Sequence, residues 1–92
     1  MKLDISEDAR ADIRGIHQYS VKQWGSYRAG EYIDDLRDRM KALARGELSG
    51  VRADDVAQGL RRQVSGSHVI WFRVQGDALR VVRVLHGARD VG

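Results

Sequence analysis

The side chains of this chain best suited to chemistry are three histidines, His17, His68 and His86, and a set of arginines gathered toward its end. An imidazole titrates near neutrality and suits proton transfer. A guanidinium keeps its charge and recognises phosphate or carboxylate. His86 is the most tempting catalyst. No nucleophile or carboxylate is placed by sequence to orient it, Asp90 being a weak candidate, so its expected role is to cap a strand end or order the turn at Gly87. His17 and His68 have no partner at metal-ligand spacing. The glycines from Gly46 to Gly50 lack the lysine–serine ending of a phosphate-binding loop. These residues assign no catalytic group, no metal and no cofactor.

The basic residues point to a partner instead. From Leu60 onward Arg61, Arg62, Arg73, Arg80, Arg83 and Arg89 face only Asp77 and Asp90, and this excess sits in a chain of net charge +3. Such a surface favours an acidic protein segment or nucleic acid, or is simply solvated. The length, 92 residues, reads as one domain over residues 1–92, small enough to lean on a partner for stability. There is no cysteine, so neither disulfides nor thiolate metal sites are available. No apolar run approaches the ~18 residues of a membrane helix. Met1-Lys2-Leu3-Asp4 does not open a signal peptide, so a cytoplasmic location is expected.

The elements that must carry these side chains follow from periodicity. Lys2 to Ile5 alternates as a short strand. Ser6, followed by Glu7 and Asp8, is a helix N-cap with carboxylates at the positive end of the dipole. Ala9, Ile13, Ile16, Tyr19 or Ser20, and Trp24 recur at helical spacing up to Gly25, which serves as C-cap. Ser26 can cap a second helix whose stripe is Ala29, Tyr32, Ile33, Leu36, Met40 and Leu43. Trp24 is expected to close the hairpin, and Tyr19, Tyr27 and Tyr32 to pack. Gly46 to Gly59 is a loop, with a helical turn available at Ala53 to Ala57. Beyond it the period becomes two: Leu60 to Val64, a turn at Ser65-Gly66-Ser67, His68 to Gln75, a tight turn at Gly76-Asp77, and Ala78 to His86. The order β-α-α-β-β-β predicts an α+β fold, an N-terminal helical hairpin packed on a small, mainly antiparallel sheet.

A two-residue turn at Gly76-Asp77 pairs Val74 with Leu79, Phe72 with Val81 and Ile70 with Arg83 on one face. It pairs Trp71 with Val82 and Val69 with Val84 on the other. Both faces are apolar, and two helices cover only one. An exposed apolar face on a small domain marks a binding site, and Arg83 is costly in a dry core unless paired. Ile70, Phe72, Val81 and Arg83 are therefore expected to face outward toward a partner. The competing expectation is that the loop from Gly46 to Gly59 covers the second face. Trp71 fits a core or an interface equally.

Several stretches resemble ParE-type toxins of the ParE/RelE superfamily. They are Ile5-Ser6-Glu7-Asp8-Ala9-Arg10-Ala11-Asp12-Ile13, Trp24-Gly25, Gly59-Leu60-Arg61, Phe72-Arg73-Val74 and, most specifically, Val82-Arg83-Val84-Leu85-His86-Gly87-Ala88-Arg89-Asp90. Proline, common in the family's central loop, is missing. The resemblance implies the toxin of a type II toxin–antitoxin system, neutralised by a ParD-like antitoxin in a hetero-oligomer. It also implies inhibition of DNA gyrase by binding rather than catalysis, with contact to gyrase-bound DNA. Ile70, Phe72, Val81 and Arg83 are the expected antitoxin contacts, and Arg61, Arg83, His86 and Arg89 the expected target contacts. The sister family, RelE, cuts messenger RNA on the ribosome, and its basic set is mostly replaced here. His68-Val69 stands where a tyrosine–arginine pair begins the third strand, Arg61 and Arg62 stand for lysines, and Val91-Gly92 ends the chain where a tyrosine should follow. Arg89 alone approximates a family arginine. A RelE-like endoribonuclease, or a toxin reduced to a non-toxic partner of the antitoxin, are the alternatives.

Overall fold

A computed structural model describes residues 1–88. Its first strand, β1 (Lys2–Ile5), ends where Ser6 turns the chain into α1 (Glu7–Trp24). The Ser6 hydroxyl accepts the Ala9 amide at 3.0 Å, with Glu7 and Asp8 in the first turn. This is the cap expected from the sequence. Gly25 then ends one helix and starts the next. Its φ of 86° suits glycine, and its amide returns to Val21 O at 2.9 Å. Ser26, expected as the second cap, is already the first residue of α2 (Ser26–Ala44), and the cap position belongs to Gly25. Neither helix is long and apolar enough to cross a membrane.

Four more strands follow: β2 (Val51–Arg52), β3 (Arg61–Ser65), β4 (His68–Gln75) and β5 (Ala78–His86). They form one five-stranded sheet in the order β1-β5-β4-β3-β2, with β1 parallel to β5 and the other pairs antiparallel. The α+β architecture with its helical hairpin is the one the sequence predicts, with β2 added. Two residues are too few to show alternation, and β2 exists because Gly50 brings the chain against β3. At φ +67° a Cβ on Gly50 would stand 2.8 Å from both the Arg62 carbonyl and the Phe72 ring.

Each face of the sheet buries its own cluster. Under the helices, Ile13, Ile16, Ile33, Leu36, Met40 and Leu43 pack on Ile70, Phe72, Leu79, Val81 and Val84. On the other face Val69, Trp71 and Leu85 are covered by Ala53 and Leu60, with Val56 and Ala57 beside them. The covering segment is a single turn closed by Val56 and Ala57 amides on Ala53 O, as the sequence allowed. The Asp54 carboxylate fastens it, accepting from Gly59 N–H and Arg52 Nε, each at 2.8 Å.

The outward placement of Ile70, Phe72 and Val81 is thereby corrected. All three lie beneath the helical hairpin, at most 1% exposed. The cause is one inserted residue. The tight turn holds its register from Gln75↔Ala78 to Phe72↔Val81, but the next pair is Trp71↔Arg83. Val82 is the extra residue of a β-bulge. The slip replaces the expected Ile70–Arg83 pair by Ile70↔Val84, so valine rather than arginine meets the helices. Two aromatic expectations also change. Ser20 takes the buried position left open between it and Tyr19, leaving Tyr19 exposed with Tyr27. Trp24 does not close a core: 46% exposed, it lies against Tyr32 with ring centroids 5.7 Å apart.

Candidate functional site

β1 pairs with β5 only as far as Val81, which leaves an open edge on β5 just where the bulge lies. An unpaired strand edge is a liability unless covered, and the start of α1 covers it. Ser6 N–H donates to Val81 O at 3.0 Å, and Ser6 Oγ donates to Val82 O at 2.9 Å. One and a half helical turns on, the Asp12 carboxylate accepts Val84 N–H at 2.9 Å. The same carboxylate takes Arg83 in a fork, Nε at 2.7 Å and Nη2 at 2.9 Å. Those hydrogen bonds hold the Arg83 guanidinium above its ordinary pKa. The arginine that the sequence could place only against a partner is satisfied within the chain, with 36% of its side chain still in solvent.

Beside this edge, four rings run from the helical hairpin to the end of the sheet. Trp24 meets Tyr32, Tyr32 meets His68 edge-on at 5.6 Å, and His68 meets His86 edge-on at 5.7 Å. The Tyr32 hydroxyl accepts Ser67 N–H at 2.9 Å, which leaves its single proton for one of two acceptors. His68 Nδ1 lies 2.6 Å from that hydroxyl and Ser65 O 3.3 Å from it, so the hydroxyl ties the start of β4 to the turn before it. Burial, and then the neighbouring His86, hold His68 below the usual imidazole pKa. His86 Nδ1 accepts Ala88 N–H at 3.3 Å while Gly87 N–H reaches Ser67 O at 2.9 Å. That is the turn-ordering role expected of His86. A groove of about 430 Å³ opens alongside, lined by Ile16, Tyr19, Trp24, His68, Leu85 and His86.

The expected target contacts that the structure describes lie at two places on the sheet. Arg83 and His86 share the β5 end. Arg61 opens β3 opposite Phe72, four residues from Ser65 and thus about 13 Å away along the strand. There its Nε donates to Ser49 O at 3.1 Å, holding the loop that leads into β2. Arg89 lies outside the described residues. Tyr32 and His68, which make the ring series with His86, were not recognisable as a set. Had the bulge been read, the register would have placed His68 opposite His86, whereas the uninterrupted hairpin sets it opposite Leu85.

An α-hairpin on a mixed sheet, its first strand parallel to its last, defines the RelE/ParE-like class of α+β protein. The solved structure of the chromosomal ParDE toxin–antitoxin system from P. aeruginosa superposes with a TM-score of 0.81 at 23% identity, covering 94% of this chain and 95% of that one. A YafQ variant from E. coli superposes with a TM-score of 0.62 at 15% identity, covering 99% and 98%. At those identities the likeness is one of fold. Sequence carries it further. The description of the ParE toxin of the type II toxin–antitoxin system parDE matches residues 3–91. Toxin ParE1 of Caulobacter vibrioides is 35% identical over 82 residues, 89% of this chain and 84% of that protein. Toxin ParE1 of Mycobacterium tuberculosis is 32% identical over 88 residues, 95% and 90%. The chain belongs to the ParE toxin family and is the toxin component of a type II toxin–antitoxin system.

Proposed function

We propose that this toxin inhibits DNA gyrase by binding, without catalysis of its own, and that a ParD-like antitoxin encoded beside it neutralises it in a hetero-oligomeric complex. The toxin acts in the cytoplasm, where gyrase works. The match to ParE toxins along nearly the whole chain carries it. The imidazole geometry agrees: His86 is engaged in ordering the turn at Gly87, and Arg83 in bridging a strand to α1. The proposed target contacts are Arg61, Arg83, His86 and Arg89. Of the four expected antitoxin contacts only Arg83 retains exposed surface, and it is kept in that role.

The test is a supercoiling reaction containing gyrase, relaxed plasmid and the purified chain. Lost supercoiling or accumulated cleaved DNA, reversed by the neighbouring gene product, supports the proposal. Folded chain without effect at micromolar concentration overturns it. One observation favours the RelE-like alternative: His68 and His86, both able to move protons, line one groove, with the Tyr32 hydroxyl 2.6 Å from His68. Cleavage of messenger RNA on translating ribosomes, abolished by His86→Gln, would establish that reading instead.

A further inference from the structure

One edge of the sheet is only half occupied. β2 is its last strand, and it pairs with Arg61 and Arg62 of β3 and stops there. The backbone groups that face this lane belong to every second residue. Leu60 O takes the Ala53 amide at 2.8 Å, and Arg62 O stands against Gly50. Val64 is the next in that series. Among the described residues no strand lies on its outer side. Its carbonyl takes the side-chain amide of Gln63 at 3.0 Å, a substitute drawn from its own neighbour. The Val64 N–H faces the same vacant lane. The vacancy runs from Gln63 to Ser65, where the chain turns, and is about 10 Å long.

The side chains beside this lane form one surface. Val64 pairs with Val69 and Arg62 with Trp71, so both point to the sheet face away from the helices, and Val51 joins them opposite Arg62. Val51 and Val64 are each 60% exposed. Branched apolar residues on an open strand edge gain nothing by staying in water and invite another strand. With Arg62, Gln63 and Val69 they line one depression of about 450 Å³, bounded by the Gly66-Ser67 turn. No carboxylate lines it. The exposed Arg62 guanidinium belongs to none of the four ion pairs among the described residues. Asp54, two residues beyond β2, is held by Arg52 and the Gly59 amide.

We infer that the outer edge of β3 takes an extended, acidic and apolar segment of a partner protein, in line with β2. Its main chain pairs with Val64, an apolar side chain enters the depression, and a carboxylate meets Arg62. Each part has its own warrant. Vacant N–H and C=O groups on a strand edge are completed by another strand. The exposed valines are covered only by an apolar side chain, and a lone guanidinium in a depression without carboxylates selects an acid. A second copy of this chain would bring an edge of the same charge. The inference stands apart from the gyrase reading.

The experiment uses the folded chain and a fluorescein-labelled nonapeptide that alternates valine with threonine and carries two glutamates at one end. Anisotropy follows binding, and amide NMR of the chain locates it. Binding is expected, weakening as salt rises. Shifts should concentrate at Val51, Val64 and Val69, and the Val64 amide should exchange more slowly. A peptide with two adjacent prolines at its centre cannot complete the ladder and should bind about tenfold more weakly. One with lysines for the glutamates should also bind more weakly, and Arg62→Glu should reverse that preference, a swap that loss of folding cannot produce. Gln63→Ala frees the Val64 carbonyl and should tighten binding about two- to tenfold. No binding at hundreds of micromolar in low salt, or shifts confined to another surface, overturns the site. Equal binding of the proline peptide overturns strand addition, and equal binding of the lysine peptide overturns the acidic partner. Val64 resonances that broaden with chain concentration before any peptide is added would give the edge to a second copy instead.

Discussion

Replacing Asp12 separates two ways in which one carboxylate can hold a fold. Asp12 accepts three hydrogen bonds, two from Arg83 and one from Val84 N–H. The Arg83 side chain is 36% exposed and can turn to water, so losing the ion pair costs about 0–1 kcal/mol. Val84 is 2% exposed, and its amide has no strand to pair with on that edge. Leaving it unpaired costs about 1–3 kcal/mol. Asp12→Ala should therefore destabilise by about 2–3 kcal/mol, against a total of about 5–14 kcal/mol for a domain this size. Asp12→Asn keeps an acceptor for Val84 and should cost about 1 kcal/mol or less, and Arg83→Gln about the same. Urea unfolding monitored by circular dichroism reads this directly. With a slope of about 1 kcal/mol per molar, Asp12→Ala moves the midpoint down by about 2–3 M and the other two by about 1 M or less. If Arg83→Gln proves as damaging as Asp12→Ala, the ion pair rather than the capped strand edge holds this junction, and the reasoning fails.

His68 should make stability depend on pH. Its folded-state pKa is depressed by burial and by His86. The unfolded chain therefore binds the proton first, near 6.5, and stability is full above that value. It declines as pH falls below about 6.5 and levels off once the folded state also protonates, a window that urea midpoints from pH 7.5 to 5 will show and that His68→Gln should flatten. With Tyr32 donating to the neutral His68 ring, Tyr32→Phe should raise the imidazole pKa, seen as an upward shift in its NMR titration; a downward shift would show that the ring donates to Tyr32 instead. Gly50→Ala combines a left-handed φ with a Cβ 2.8 Å from Phe72 and the Arg62 carbonyl, and should cost about 2 kcal/mol or more in thermal or urea unfolding. Gly15→Ala, with open space around it in α1, should instead stabilise by about 0.5–1 kcal/mol.

Most of the fold was legible because its signals are local. Ser6, Gly25 and Gly76-Asp77 mark a cap and two turns by residue type, and the stripes of α1 and α2 repeat at their proper period. The parallel pairing of β1 with β5 has no such mark, since it joins residues more than seventy positions apart. The bulge at Val82 is equally silent. Its neighbours Val81 and Val84 suit either register, and only the penalty for placing Arg83 under the helices argues for a slip. That penalty was visible in the sequence, but it was resolved by turning the whole face outward rather than by inserting one residue. Both misplacements, the buried Ile70–Phe72–Val81 face and the unrecognised facing of His68 and His86, share this single origin.

The slip also bears on where a partner can sit. With Val84 rather than Arg83 beneath the hairpin, one sheet face is committed to the helices, and the turn from Ala53 with Leu60 closes over Trp71 on the other. That turn leaves part of the second face open, where Val64, paired with Val69, is 60% exposed. Also open are the β5 end with Arg83 and His86, the groove beside it and the aromatic tip of the hairpin. These adjoin, because α1 runs from Asp12 at the β5 edge to Trp24 at the tip and one wall of the groove is α1 itself.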